Sequence, residues 1–506
     1  MKILRSDQVK EVDGYTIENE PIHSIQLMER AAGEISGWIT DHIRSNRRIH
    51  LFIGPGNNGG DGLAIARQLA DKGYVAEVYL VKISSHLSPD AQVNLDRLKK
   101  QDRVPIHRVD DESTLPDIKK DEVIVDGLFG SGLNRPLEGF PAKVVQHLNA
   151  MPALRIAIDI PSGLFGEDNS SNTYETIFRA DHTLTFQFPN LSFFFPENQD
   201  VIGDWYVLDI GLMQEKIDQL DTPYHMITRE QVSEFLCPRK RFAHKGHFGH
   251  VLMITGGYGK MGAAVLSSKA ALRAGSGLVT THVPRLGYEI MQTALPEAMI
   301  SLDISDIIFS QPPDLGAFIT VGTGPGLGTK ENTQNALLTL IERARGPIVL
   351  DADALNILAM HPDWLEKLPE SSVLTPHPKE FERLTQAVSN HYERIKLQQE
   401  FAQRYQVYLV LKGGNTSVAC PDGSVFFNAA GNPGMATGGS GDVLTGMITS
   451  LLGQGYESKQ AALTGVYLHA LAGDMAANAK GQEALIASDI IESIGLAYKC
   501  IQNEKE

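Results

Sequence analysis

Ile49-His-Leu-Phe-Ile53 runs directly into Gly54-Pro-Gly-Asn-Asn-Gly-Gly-Asp-Gly62, and Leu63 to Leu69 continues with helical character. A short apolar strand, a glycine-dense loop and a helix, in that order, make an anion cradle of an α/β fold, because loop amides and the helix N-terminus converge on one point. The glycines do not follow the usual dinucleotide-binding spacing. Asn57 and Asn58 add side-chain amides, which can donate to a phosphate or ligate a cation through oxygen.

On the N-terminal side of this stretch, Ile25, Met28, Ala32, Ile35 and Ile39 fall at helical spacing with Glu29 and Arg30 opposite, so a helix packs on the sheet. On the other side, strands are expected at 75–80, 123–126, 156–159 and 183–186, with helices near 91–98 and 142–148. This alternation predicts a parallel sheet covered on both faces. Two strands end in a carboxylate and a loop signal, Asp126-Gly-Leu-Phe-Gly130 and Asp159-Ile-Pro-Ser-Gly163. Ligands gather at the carboxyl ends of such strands, so Asn58, Asp126, Asp159 and Ser162 are expected to approach one another. A carboxylate, an amide and a hydroxyl suit a hard cation bound through oxygen. The alternative is that Asp126 and Asp159 cap turns.

A chain of 506 residues exceeds one ordinary core and predicts two domains. Its formal net charge of −16 argues against a nucleic-acid partner. Cys237, Cys420 and Cys500 are too few and too scattered for a disulfide framework. The first residues lack the apolar block of a signal peptide, and no apolar run is long enough to span a bilayer, so a cytoplasmic protein with no membrane partner is expected.

A strand at 205–209 closes the first half, and the polar segment 214–224 reads as a linker, which places the boundary at 220. The second half repeats the α/β pattern. Strands at 251–254, 317–321, 348–350, 373–374 and 408–411 lead into Gly256-Gly-Tyr-Gly, Gly322-Thr-Gly-Pro-Gly-Leu-Gly328, Asp351-Ala-Asp, Thr375-Pro-His-Pro-Lys-Glu380 and Lys412-Gly-Gly-Asn-Thr416. His244, His247 and His250 lack the spacing of a zinc site, and a basic loop over polyphosphate is the preferred reading of their surroundings. In Met435-Ala-Thr-Gly-Gly-Ser-Gly-Asp-Val-Leu-Thr-Gly446, glycines 438, 439 and 441 are expected to take positive φ and form an anion nest ahead of a helix over 443–452. Asp442 at that junction either deprotonates a hydroxyl that attacks phosphorus or caps the helix. There is no Walker A sequence, which argues against a P-loop phosphotransferase.

Over about residues 1–215, Met28-Glu-Arg-Ala31, Asn57-Asn-Gly-Gly-Asp61, Asp126-Gly-Leu-Phe-Gly130 and Asp159-Ile-Pro-Ser-Gly163 resemble the YjeF N-terminal family, the NAD(P)HX epimerases. The resemblance implies a Rossmann-like three-layer αβα domain over 1–220 that epimerises hydrated NADH or NADPH at C6. It further implies that Asn57, Asn58, Gly59, Gly60 and Asp61, with Gly130, Ser131, Gly132, Leu133, Asn134, Arg135 and Pro136, bind the nucleotide. Asn58, Asp126 and Ser162 would ligate potassium, and Asp159 would stand nearest the reacting ring as an acid/base group.

Over about residues 225–500, the order of loops resembles the ribokinase-like superfamily, and more narrowly its YjeF C-terminal branch, the ADP- or ATP-dependent NAD(P)HX dehydratases. That implies a ribokinase-like αβα domain over 221–506, which dehydrates the S epimer with ADP and gives AMP and phosphate. Lys412, Gly413, Gly414, Asn415, Thr416 and Gly441 would bind ADP or AMP with Mg²⁺. Ala263, Gly324, Gly326 and His377 would line the hydrated nucleotide, with Asp442 as base. The implied partners are NAD(P)HX and ADP or AMP, and the implied assembly a homo-oligomer. A small-metabolite kinase carrying a non-catalytic nucleotide-binding module is the alternative.

Overall fold

The structure, a computed structural model, describes residues 1–502. The chain forms two compact units, Lys2–Thr222 and the residues from Pro223 onward together with Met1.

The first unit is built on seven strands: β1 (Ile49–Ile53), β2 (Ala76–Val81), β3 (Ile106–Val109), β4 (Val123–Gly127), β5 (Leu154–Ile158), β6 (His182–Phe186) and β7 (Asp204–Leu208). All neighbours are parallel, in the order β3-β2-β1-β4-β5-β6-β7. The strand order reverses between β1 and β4, and a ligand crevice opens at such a point. Alternation along β1 explains the layers. Leu51 and Ile53 pack with Ile35, Ile39 and Leu63 on one face, while Phe52 packs with Ile124, Val144 and Leu148 on the other. Each such buried side chain contributes roughly 1.5–3 kcal/mol.

The glycine-dense stretch is shorter as a loop than its composition suggests, because the helix already begins at Asn57 and runs to Asp71. Its glycines allow close packing: a Cβ on Gly59 would fall 2.0 Å from the Gly54 carbonyl oxygen, and one on Gly62 would fall 2.5 Å from Ile53 Cδ1. The polar segment after residue 213 is also not a plain linker. It folds as the helix Gln214–Gln219, which buries Ile217 beside Leu4, Val12 and Ile210.

The second unit holds β8 (Tyr224–Met226), β9 (His250–Ile254), β10 (Leu278–Val283), β11 (Met299–Leu302), β12 (Thr320–Thr323), β13 (Val349–Leu350), β14 (Val373–Leu374), β15 (Tyr408–Leu411), β16 (Ser417–Ala419) and β17 (Val425–Phe427). They form one sheet in the order β11-β10-β9-β12-β13-β14-β15-β16-β17-β8, parallel from β11 to β15. The strand expected at 317–321 is displaced to Thr320–Thr323, so its last residues are those read as the start of the glycine loop. The helix Ser440–Gly453 is buried along its whole length from Val443, which its unbroken apolar and small residues allow. It crosses the helix Met261–Arg273 so closely that a Cβ on Gly446 would lie 2.1 Å from the Ser267 carbonyl oxygen. Among the described residues, no helix is long and apolar enough to cross a membrane.

Candidate active sites

In the first unit a cavity of about 560 Å³ opens at the carboxyl ends of β1, β4 and β5. That is the size range of small-molecule sites. Asn57, Asn58, Asp61, Gly130, Ser131, Gly132, Leu133 and Asp159 line it, whereas Gly59 and Gly60 lie behind that surface, against Gly54 and Met28. Asn134 and Arg135 are exposed, and neither they nor Pro136 are among the lining residues.

Behind the cavity, Asp126 is fully buried. Its Oδ1 accepts from Ser162 Oγ at 2.7 Å and from the Leu128 amide at 3.1 Å, and its Oδ2 accepts from the Ser162 amide at 2.8 Å. Asn58 Nδ2 donates to the Phe129 carbonyl at 2.8 Å, and the Phe129 amide donates to Ser162 Oγ at 2.8 Å. The structure therefore brings Asn58, Asp126 and Ser162 together around the Phe129 peptide. Burial pushes the Asp126 carboxyl up to about 6 despite these hydrogen bonds. No cationic side chain pairs with it among the described residues, and this set of carboxylate, hydroxyl and amide is of the kind that suits a cation bound through oxygen.

Asp159 follows β5 with φ 64°, a left-handed backbone that Asp tolerates better than most side chains. The conformation turns the residue out of the strand toward the cavity. Thr185 Oγ1 donates to its Oδ1 at 3.3 Å, and a Cβ on Gly130 would lie 3.7 Å from its Oδ2. Burial raises its pKa, against hydrogen bonds from Ser131, Thr185 and Phe186. Asp61 is pushed well above the usual carboxylate range, first by burial and then by Asp159, Asp13 and Asp90.

The helix Ser6–Asn19 was not expected from the sequence, yet it forms one wall of this cavity. Ser6, Val9, Lys10, Asp13 and Ile17 face inward at helical spacing. Burial, with Asp159 beside it, pushes the Asp13 carboxyl up to about 6. The available signal was a charged pair, Lys10 and Asp13, on the same side as Val9 and Ile17, where an amphipathic helix usually keeps apolar residues.

In the second unit the loops after β13 and β15 meet the N-terminus of the helix Ser440–Gly453 at Gly441, while the loops after β9 and β12 pack on one another and on Asp351. Ala263 adjoins Gly326, since a Cβ on Gly326 would fall 3.2 Å from that of Ala263. Gly324, at φ 124°, lies against Asp351, whose carbonyl oxygen would be 1.8 Å from an added Cβ. Lys412 Nζ is 2.6 Å from Asp351 Oδ1, Thr445 Oγ1 donates to Asp351 Oδ2 at 2.8 Å, and Glu380 Oε2 is 4.0 Å from the same ammonium. A Cβ on Gly441 would sit 3.3 Å from Lys412 Nζ. Gly413 and Gly414 are exposed with open space around them, and Thr416 Oγ1 closes their turn by accepting from the Gly413 amide at 3.3 Å.

Asp442 lies in the first turn of the helix, where burial pushes its carboxyl up to about 6; Asp351 adds to the rise and Lys412 opposes it. The nest is simpler than three glycines suggested, because only Gly439 takes positive φ, at 91°. His377 caps its own helix: its Nδ1 accepts from the Lys379 and Glu380 amides, and its side chain stays partly exposed. His250 bonds Thr280 Oγ1 from within β9, whereas His244 caps the turn Lys245–Phe248 and packs against His247 with the two rings tilted by 45°. Sequence reasoning did not assign a site role to Asp351, Thr445 or His469. His469 is buried, its pKa pushed down to about 4 by burial, and its Nε2 lies 3.0 Å from the Ser440 carbonyl at the head of the helix.

Comparison with known proteins follows the same division. The family described as YjeF-related protein N-terminus matches residues 24–192, and the family described as NAD(P)H-hydrate dehydratase matches residues 251–495. A bifunctional NAD(P)H-hydrate repair enzyme of Moorella thermoacetica is 35% identical over 530 residues, spanning 100% of this chain and 98% of that protein. One of Escherichia coli K12 is 34% identical over 472 residues, spanning 93% and 88%. A solved structure of a ribokinase-like superfamily protein from Enterococcus faecalis V583 is 25% identical, with a TM-score of 0.50, over 56% of this chain and 98% of that one.

Proposed function

Because the chain belongs to the family of bifunctional NAD(P)H-hydrate repair enzymes, we propose that its two units divide the repair between them. The first unit interconverts the C6 epimers of hydrated NADH and NADPH. The second unit dehydrates one epimer, using a nucleotide phosphate, and returns the reduced cofactor. The observation that carries this reading is Asp442, a half-buried carboxylate in the first turn of a glycine-led helix, beside the Lys412–Asp351 pair.

The chemistry explains why a phosphate donor is needed. Hydroxide is a poor leaving group and phosphate a good one. Asp442 takes the proton of the C6 hydroxyl, which attacks the terminal phosphorus of ADP or ATP. The amides at the helix head, the Lys412–Thr416 loop and the Lys412 ammonium hold the transferring group. The nitrogen lone pair then expels phosphate to give an N1=C6 iminium, and loss of a C5 proton to water or to the departing phosphate forms the C5=C6 bond and restores the dihydronicotinamide. Mg²⁺, bound with the nucleotide, supplies charge neutralisation on its phosphates. Ala263, Gly324, Gly326 and His377 are the residues we place along the hydrated nucleotide, and Gly413, Gly414, Asn415, Thr416 and Gly441 along the donor.

In the first unit Asp159 serves as acid/base group at the ring, while Asn57, Asn58, Asp61 and residues 130–133 hold the nucleotide from the cavity wall. Asn58, Asp126 and Ser162 would hold a potassium ion, which when bound supplies a fixed positive charge behind the cavity.

The test is to give mixed hydrate epimers to the purified protein with ADP and, separately, with ATP, following absorbance at the reduced-nicotinamide band and phosphate release. Repair yields reduced cofactor and free phosphate in equal amounts; a metabolite kinase would instead accumulate a stable phosphorylated product. Asp442→Asn is expected to keep nucleotide binding and lose cofactor recovery. Near-normal turnover of that variant would rule the base assignment out.

A further inference from the structure

Epimerisation at C6 poses a geometrical problem that one carboxylate does not solve. The hydroxyl must leave from one face of the ring, and water must return to the other. Leaving requires a proton donor, and return requires a proton acceptor, on opposite faces. The cavity of the first unit offers carboxylates from two different walls. Asp159 and Asp61 come from the carboxyl ends of strands and the helix after β1, and Asp13 comes from the helix Ser6–Asn19.

Asp13 is unusual in what it lacks. It faces inward with Ser6, Val9, Lys10 and Ile17, yet among the described residues its carboxylate has no hydrogen bond or ion pair. A structural carboxylate in a helix wall is ordinarily paired or turned to solvent, since removing it from water costs free energy that nothing returns. The charged and titratable groups around it are Asp159 across the cavity, Asp61 and Asp90 from the two neighbouring helices, and Lys10 on its own helix. Carboxylates are thus in the majority at this site. Each charge raises the pKa of the others, which favours a state with one carboxyl neutral and another ionised, the state this reaction needs.

Resting on the epimerase reading above, we propose that Asp13 is the second acid/base group of the epimerisation, working from the helix wall opposite Asp159. In one direction the neutral carboxyl gives its proton to the C6 oxygen. The C6–O bond breaks with its electron pair going to oxygen, water departs, and the nitrogen lone pair forms the N1=C6 bond. Water then adds to the other face of C6, its extra proton passes to the ionised carboxylate, and the π pair returns to nitrogen. The two carboxyls have exchanged protonation states, which prepares the site for the reverse direction.

The experiment uses the full chain without phosphate donor, so that the second unit is idle. Epimer interconversion is followed together with incorporation of heavy oxygen from labelled water into the C6 hydroxyl, against an enzyme-free blank. For Asp13→Asn we expect both rates at saturating hydrate to fall by about 100-fold, with KM changed by less than about twofold. The bell-shaped pH profile of the parent is expected to become a single titration, and Asp13→Glu to recover part of the rate. Near-parent rates, a bell that survives the substitution, or a rise in KM with the maximal rate unchanged would each overturn the proposal. So would loss of the limb in Asp61→Asn instead of Asp13→Asn. If the parent neither interconverts epimers nor exchanges oxygen, the epimerase reading itself fails, before any variant is compared.

Discussion

The Lys412 ammonium lies 2.6 Å from Asp351 Oδ1, while Thr445 donates to the other oxygen of the same carboxylate, so a charged pair from two strand ends is locked onto the helix that carries Asp442. Asp351 is almost fully buried and Lys412 is partly open toward the site. The pair holds one positive charge in place where phosphate is expected, and its two members act on Asp442 in opposite senses.

Asp442 as a base must be ionised to act. Its carboxyl is pushed up to about 6, mainly by burial, so donor-dependent cofactor recovery is expected to be flat above that pH and to fall about tenfold per unit below it. The dependence of kcat/KM on pH, with the first unit bypassed by supplying the reactive epimer, checks this.

Altering the pair should move that acid limb in either direction. Asp351→Asn removes a charge that raises the Asp442 pKa, so the limb shifts to lower pH; Lys412→Met removes a charge that lowers it, so the limb shifts higher. Lys412→Met also leaves Asp351 buried without its partner and is expected to cost about 3 kcal/mol in denaturant unfolding. Equal shifts in both variants would contradict the arrangement.

Two neighbouring glycines should differ sharply. Gly59→Ala puts a Cβ 2.0 Å from the Gly54 carbonyl oxygen, whereas a Cβ on Gly56 meets nothing within 4 Å. The first is expected to destabilise by about 3 kcal/mol or more, since backbone cannot yield as a side chain does. Gly56→Ala, at φ −86°, is expected to be neutral or slightly stabilising. Thermal unfolding of the two variants separates them.

If Asp126, Ser162 and Asn58 hold a monovalent cation, epimer interconversion without phosphate donor should fall when potassium is replaced by tetramethylammonium. Asp126→Ala should be slow in both buffers and insensitive to the exchange. A parent rate indifferent to the cation would remove the ion from the account.

Asp13 should be a liability for stability as well as a gain for chemistry. Its folded-state pKa of about 6 lies above the ordinary value of an unfolded carboxyl, about 4. The folded state therefore binds the proton more tightly, and stability is lost as pH rises from about 4 through about 6. Asp13→Asn is expected to raise the unfolding temperature at pH 7–8 and to leave it unchanged near pH 4.

Asp442 and Asp159 could be singled out from the chain because each stands where a local pattern ends, one after a glycine run and one after an apolar strand. The Asn57–Gly62 stretch is equally visible, but its composition suggests a loop where Gly59, Gly60 and Gly62 let a helix pack closely on Gly54, Met28 and Ile53. Composition reports that backbones approach closely; it does not report which element they belong to. The segment 214–224 misled in the opposite way, since one buried side chain, Ile217, suffices to dock a short helix that looks polar.

By itself the sequence determined the two α/β halves, the glycine-marked loops and the strand-end carboxylates, because all of these are written in neighbouring residues through backbone freedom and hydrophobic period. Only the tertiary structure decided that Asp13 faces Asp159, that Lys412 pairs with Asp351, and that His469 sits neutral at the head of the Ser440–Gly453 helix. Those relationships depend on how strands order in the sheet and how far burial removes a charge from water, quantities that distant parts of the chain set jointly.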